Sequence, residues 1–178
     1  MTMEYPETPI GRFEPPPRAF EDGAGRTVRL ERFRAADADG EDVAEMYDDF
    51  DPADRAQGIP PTRPEDVREW LESVLAGDCV NVLAVADGRV VGHAMLVPDD
   101  DAYELAIFVL DEYQNAGIGT ELLTALLGAG QSEGIERVWL TVERWNAAAR
   151  ALYQKVGFET VGTESFELKM SALLTAPD

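Results

Sequence analysis

The chain has 178 residues, with 35 acidic against 15 basic side chains and a formal net charge of −20; the basic set is 13 Arg plus Lys155 and Lys169. That length suits a single domain able to bury its own core, the charge argues against nucleic acid as a partner, and a single Cys79 excludes an intramolecular disulfide and a zinc cluster. No apolar run approaches the roughly 20 residues of a membrane span and no basic-then-apolar leader is present, so a soluble cytoplasmic protein without membrane contacts is expected.

The acids are distributed in short clusters such as Asp48-Asp49 and Asp99-Asp100-Asp101. This looks like the surface of a halophile's protein: concentrated salt leaves a Debye length of about 3 Å, which screens the self-repulsion. An acidic face that attracts cationic substrates is the alternative reading.

Residues 1–24 carry Pro6, Pro9, Pro15, Pro16 and Pro17 without a periodic apolar face, which predicts an irregular arm. A folded domain is expected over 25–171, followed by a short tail, 172–178. Alternation predicts a strand over 27–33, and a helix follows over 37–50 with Val43, Met46, Tyr47 and Phe50 on its apolar face. The proline-rich stretch 51–64 predicts a shaped loop. A second helix over 64–76 opens with Glu65-Asp66 and directs Val67, Trp70, Leu71, Val74 and Leu75 to one side. Two β-rich runs, 80–86 and 89–97, flank Asp87-Gly88, a dipeptide suited to positive φ, and so predict a hairpin. Further strands are expected over 103–110 and 137–142, helices over 117–133 and 146–156, and a last hairpin over 158–170 turning near Gly162-Thr163. The element order is β α α β β β α β α β β, an α/β fold with a mixed sheet of about six to seven strands and about four helices.

Between the third helix and the strand before it lies Gln114-Asn115-Ala116-Gly117-Ile118-Gly119, followed by Thr120. Two glycines ahead of a helix N-terminus make a loop whose backbone N–H groups can turn toward an anion while the helix end adds positive potential. The spacing is neither G-x-G-x-x-G nor G-x-x-x-x-G-K-[ST]. As Q-x-x-G-x-G it resembles motif A of the GNAT superfamily of acyl-CoA N-acyltransferases. The late run Leu140 to Asn146, with Ala149, Leu152-Tyr153 and Gly157-Phe158, is similar to that family's second signature. The likeness covers about residues 26–170 and leaves out the arm.

The resemblance implies acetyl-CoA as co-substrate, with Gln114, Asn115, Ala116, Gly117, Ile118, Gly119 and Thr120 around its pyrophosphate and Asn146 against its pantetheine or phosphate portion. It also implies that the strand before the loop splays from the next, with Val109 and Leu110 beside the thioester and the N–H of one polarising its carbonyl. Glu104, flanked by residues expected to be buried, is the candidate general base; burial would raise its pKa toward that task, whereas strand alternation alone would leave it solvated. Tyr153 carries over as the acid that protonates the departing thiolate, yet Ala149, Leu152, Tyr153 and Val156 also make an ordinary core stripe. Asn146 equally suits a helix N-cap. Arg144, Arg150 and Lys155 stand near enough in sequence to meet adenosine phosphates. His93 has no metal-ligand spacing around it, and no metal is expected.

These readings converge on an N-acetyltransferase using direct, ternary-complex transfer, because no nucleophilic cysteine accompanies the loop. The acceptor is a protein lysine, a protein N-terminus or a small-molecule amine; the segment 106–114 and the stretch 47–57 look most like the protein-lysine branch. A non-catalytic acyl-CoA sensor and transfer of a longer acyl group are the alternatives. The state is expected to be monomer or homodimer.

Overall fold

The computed structural model describes residues 3–35, 40–51, 60–164 and 166–176. Its order is β1 (Arg18–Glu21), β2 (Thr27–Arg32), α1 (Glu41–Asp48), α2 (Pro64–Val74), β3 (Val80–Ala86), β4 (Arg89–Asp99), β5 (Ala102–Val109), α3 (Ile118–Ser132), β6 (Arg137–Glu143), α4 (Ala147–Val156), β7 (Glu159–Thr163) and β8 (Glu167–Leu173). A single 3-10 turn, Asp111–Tyr113, precedes α3. The shaped loop predicted over 51–64 and the start of the first predicted helix fall largely outside the described residues, as does most of the 47–57 stretch beyond Asp51.

Among the described residues eight strands form one mixed sheet in the order β1-β2-β3-β4-β5-β6-β8-β7, one more strand than the periodicity predicted. The addition is β1, which lies within the expected irregular arm. Four residues are too few for a visible period, and β1 exists because Arg18 to Glu21 pair with Leu30 to Thr27 of β2. In the last hairpin β7 runs through Gly162 to Thr163 and β8 begins at Glu167, so the chain turns later than expected.

Local rules account for most elements. Asp87 (φ 53°) and Gly88 (φ 75°) both adopt positive φ, as the β3–β4 turn requires. Pro64 sits at the first position of α2, where its missing N–H costs nothing. Its Val67, Leu71 and Val74 are buried. In α3, Leu122, Leu123, Leu126 and Leu127 are wholly buried. That helix is enclosed on two sides: it lies on β2 to β5, and the N-terminal segment crosses its back. A Cβ on Gly128 would come within 2.7 Å of the Phe13 carbonyl oxygen, so only glycine permits that crossing.

Strand alternation assigns the two faces of the sheet. Gly92 meets Leu122 of α3, whereas His93 meets Tyr47 of α1, so α3 covers one face and α1 with α2 the other. On the α1 side a buried polar chain joins four elements. The Tyr47 hydroxyl and His93 Nδ1 lie 2.7 Å apart, His93 Nε2 is 2.7 Å from Asn81 Oδ1, and Asn81 Nδ2 donates to the Val74 carbonyl at 2.8 Å. Because an amide oxygen only accepts, Nε2 carries the proton and Nδ1 accepts from Tyr47. Burial holds the imidazole neutral by lowering its pKa to about 3. His93 is therefore a structural residue whose polar atoms are satisfied.

Candidate active site

β5 is bonded on its two edges in different ways. Toward β4 it is paired along its whole length, from Asp99↔Ala102 to Gly92↔Val109. Toward β6 it runs parallel and is paired only at Tyr103↔Val138 and Glu104↔Trp139. Beyond Glu104 the strands part, and a cleft of about 530 Å³ opens between Leu105–Val109 and Thr141–Glu143, closed on other sides by Phe50, by 114–120 and by α4.

Pairing sets which backbone groups face the opening. Leu110 N donates to Val91 O at 2.9 Å, which makes Gly92↔Val109 a pair whose own amides point away from each other. By alternation the backbone groups of Leu105, Ile107 and Val109 turn toward the parting strands. Val91, whose carbonyl accepts the Leu110 N–H, is the extra residue of a bulge opposite Ala84-Val85 on the β3 side of β4. Of the two residues expected beside a thioester, Leu110 has its N–H bonded to β4 and its side chain buried, so between them it is Val109 whose amide turns toward the cleft.

The loop after β5 is anchored at both ends. Gln114 Nε2 donates to Val109 O at 3.0 Å and ties the loop back to its strand. Asn115 (φ 60°) and Gly117 (φ 88°) are both left-handed, and Gly117 caps α3 without any side-chain bond. A Cβ at Gly119 would meet nothing within 4 Å, and its φ is not positive. Neither packing nor backbone strain explains a glycine there; open space for a closely approaching ligand does. Gln114, Asn115, Gly117, Gly119 and Thr120 line the cleft. Ile118 instead sends its side chain into the core, and the carbonyl of Ala116 accepts from Gly23 N at 2.8 Å, so these two could present only backbone amides to a ligand.

Glu104 occupies the last paired position before the strands diverge, on the α1–α2 face with Ala106 and Phe108. It is half-buried and lines the cleft. Burial raises its pKa, and the nearby charge of Asp99 raises it further. Tyr153 packs in the core against Phe158 and also lines the cleft. Burial pushes its hydroxyl pKa up to about 12, so it stays protonated at neutral pH. Asn146 likewise does two things: its Oδ1 accepts from Ala149 N at 3.2 Å as the α4 N-cap, and it borders the cleft. Arg144, Arg150 and Lys155 are not among the cleft-lining residues; Arg150 Nη1 is bonded to the Arg144 carbonyl at 2.8 Å.

Sequence reasoning passed over Phe50, Phe108 and Thr141 as site residues, although all three line the cleft. Phe50 and Phe108 look like core side chains in the sequence. Their rings do pack together, with centroids 5.7 Å apart, beside Tyr47 and Trp70. Only the parting of β5 from β6 turns the edge of that aromatic cluster into a wall. Among the described residues no group of three His, Cys, Asp or Glu could hold a metal ion, and no helix is long and apolar enough to cross a membrane.

A splayed strand pair, a glycine loop at a helix N-terminus and a second element carrying Asn146 and Tyr153 are the features the sequence resemblance implied. The model of the acetyltransferase (GNAT) family matches residues 42–158, well over half of the chain. The chain belongs to the GNAT family. Over 84 residues it is 39% identical to an uncharacterized N-acetyltransferase of Mycobacterium tuberculosis, covering 46% of this chain and 54% of that protein. Over 94 residues it is 34% identical to the ribosomal protein bS18-alanine N-acetyltransferase of Salmonella typhimurium, covering 50% of this chain and 64% of that one. The chain thus spans about half to two thirds of the length of the curated relatives it matches. In fold, this GNAT chain is similar to the crystal structure of the GNAT domain of S. lividans PAT, with a TM-score of 0.72 at 18% identity, over 88% of this chain and 96% of that domain.

Proposed function

We propose that the protein is an acetyl-CoA-dependent N-acetyltransferase that moves an acetyl group directly to a primary amine within a ternary complex. The observation that carries this reading is the two-residue pairing of β5 with β6, which leaves the Val109 amide facing a cleft that also holds Glu104, Tyr153 and the glycine loop.

In this reading the amides of Asn115 to Thr120, with the N-terminal end of α3, hold the pyrophosphate, and Gly119 permits its close approach. The pantetheine arm lies along the open edge of β5 as an added strand would. The Val109 N–H stabilises negative charge growing on the thioester oxygen. Glu104, made more basic by burial and by Asp99, takes the ammonium proton directly or through a water. The freed amine nitrogen then forms the new bond to the acetyl carbon, the carbon–sulfur bond breaks as Tyr153 gives its proton to the leaving thiolate, and the second proton lost from nitrogen returns the tyrosinate to tyrosine through solvent. Glu104 lies on the α1–α2 face together with Phe108, which supports entry of the acceptor from that side.

The acceptor can be a protein or a small molecule; the likeness to a ribosomal-protein-alanine acetyltransferase favours a protein N-terminus, while the 106–114 segment resembles the lysine branch. The acidic composition supports work in concentrated salt. The deciding experiment is a turnover screen with acetyl-CoA in molar KCl, offering polyamines, aminoglycosides, lysine peptides and N-terminal peptides. Acetylation of one class is the expected result. Binding of coenzyme A without turnover of any amine would overturn the enzymatic reading in favour of a sensor.

A further inference from the structure

The segment ahead of β2 meets the loop that the proposed function assigns to pyrophosphate, and also the residues flanking it on either side. Before the loop, the Arg26 guanidinium lies 4.3 Å from the ring centroid of Tyr113, whose hydroxyl donates to Asp87 at 2.8 Å. Within the loop, Gly23 N donates to the Ala116 carbonyl at 2.8 Å. After it, Arg18 grips the first turns of α3: Nη1 pairs with Glu121 Oε2 at 2.5 Å, and Nη2 donates to Glu121 O at 3.1 Å and Thr124 Oγ1 at 2.8 Å.

The turn that delivers Gly23 and Arg26 is itself held rigidly. The Asp22 carboxylate, whose side chain has no exposed surface, accepts from Ala24 N at 3.0 Å, from Arg26 N at 2.9 Å and from Arg26 Nε at 2.7 Å. We propose that β1 and the β1–β2 turn form a positioning element for the coenzyme A loop, acting through Arg18, Gly23 and Arg26, none of which lines the cleft. The inference rests on reading residues 114–119 as the coenzyme A grip.

Two physical effects make it more than packing. The loop places left-handed Asn115 and Gly117 on either side of Ala116, and the Gly23 N–H fixes the Ala116 carbonyl between them. Glu121 also places a carboxylate in the first turn of the helix whose N-terminus would meet a diphosphate, and Arg18 offsets that charge. The molecule supplies its own control: Arg32 of β2 pairs with Glu133 at the other end of α3, holding the helix without touching the loop.

The test titrates coenzyme A into the full chain in molar KCl by calorimetry, for the parent and for Arg18→Met, Arg26→Met and Arg32→Met. The expected result is a roughly fivefold weaker coenzyme A affinity in each of the first two, an acceptor KM unchanged in turnover assays, and partial recovery in Arg18→Lys. Arg32→Met should lower the melting temperature while binding coenzyme A as the parent does. Parent-like affinity in both Arg18→Met and Arg26→Met overturns the brace and leaves the loop reading standing. Equal loss in Arg32→Met also overturns it, since helix anchoring alone would then suffice. A parent that binds no coenzyme A overturns the loop reading and the brace together. If Arg26→Met fails to fold, hydrogen exchange at residues 115–120 in Arg26→Lys decides, and parent-like protection counts against the proposal.

Discussion

The two edges of β5 use the same eight residues for opposite ends. On the β4 edge the ladder is complete, and Phe108 packs into the aromatic and polar cluster around Tyr47 and His93. On the β6 edge two pairs hold and the rest is open, with Glu104 at the point of parting. A complete ladder satisfies every backbone group and has nothing left for a ligand; an interrupted one keeps donors available, provided that something else holds the strand straight. The zipped edge is what allows the open edge to exist.

The sharpest way to break the open edge chemically is Glu104→Gln. We expect kcat to fall by about 10³-fold with the KM for acetyl-CoA unchanged, because an isosteric amide keeps the shape and loses the base. In the parent, activity should fall as pH drops through the Glu104 pKa, which burial and Asp99 raise, and this acid limb should vanish in the variant. The ionised form is the one penalised by burial, so the variant should melt no lower than the parent at neutral pH.

On the zipped edge His93→Leu should cost about 3 kcal/mol of stability, since Tyr47 and Asn81 each lose a buried partner. Its pH signature is distinct. A histidine with a depressed folded pKa contributes stability above its unfolded value near 6.5, and this is lost as pH falls toward about 3. Across that window the slope should be up to about 1.4 kcal/mol per pH unit. Denaturation of parent and variant between pH 4 and 7 measures it; equal slopes would show that His93 is not buried as neutral imidazole.

Smaller effects sharpen the contrast. Gly119→Val fills space that no protein atom occupies, so the fold should tolerate it while acetyl-CoA binds about tenfold more weakly. Equal affinity would place the ligand elsewhere. Tyr153→Phe should lower kcat by only about three- to tenfold, because a thiol leaves readily and the ring still fills its core position. A drop as large as that of Glu104→Gln would mean that the tyrosine does more than protonate the thiolate.

Legibility in the sequence followed the range of the forces involved. The Asp87-Gly88 turn, Pro64 at the start of α2 and the Asn146 cap were readable because each is decided within a few residues. The α3 stripe was readable because burial imposes a period. β1 was not, since its four residues become a strand only by pairing with β2. Which of the Val109 and Leu110 amides is already bonded was unreadable for a related reason: it depends on the register of a neighbouring strand.

The sequence by itself determined the element types, the glycine loop and the family likeness, since local propensity, periodicity and motif spacing are all written along the chain. Tertiary structure alone decided which edge of β5 stays open, that Glu104 stands at the parting, that Phe50 and Phe108 wall the cleft, and that the N-terminal segment meets the loop. Those are relations between residues up to about a hundred positions apart, as in Arg18 with Glu121, separated by 103. No local pattern encodes them, because the energy that fixes them is shared among surfaces that meet only in the folded chain.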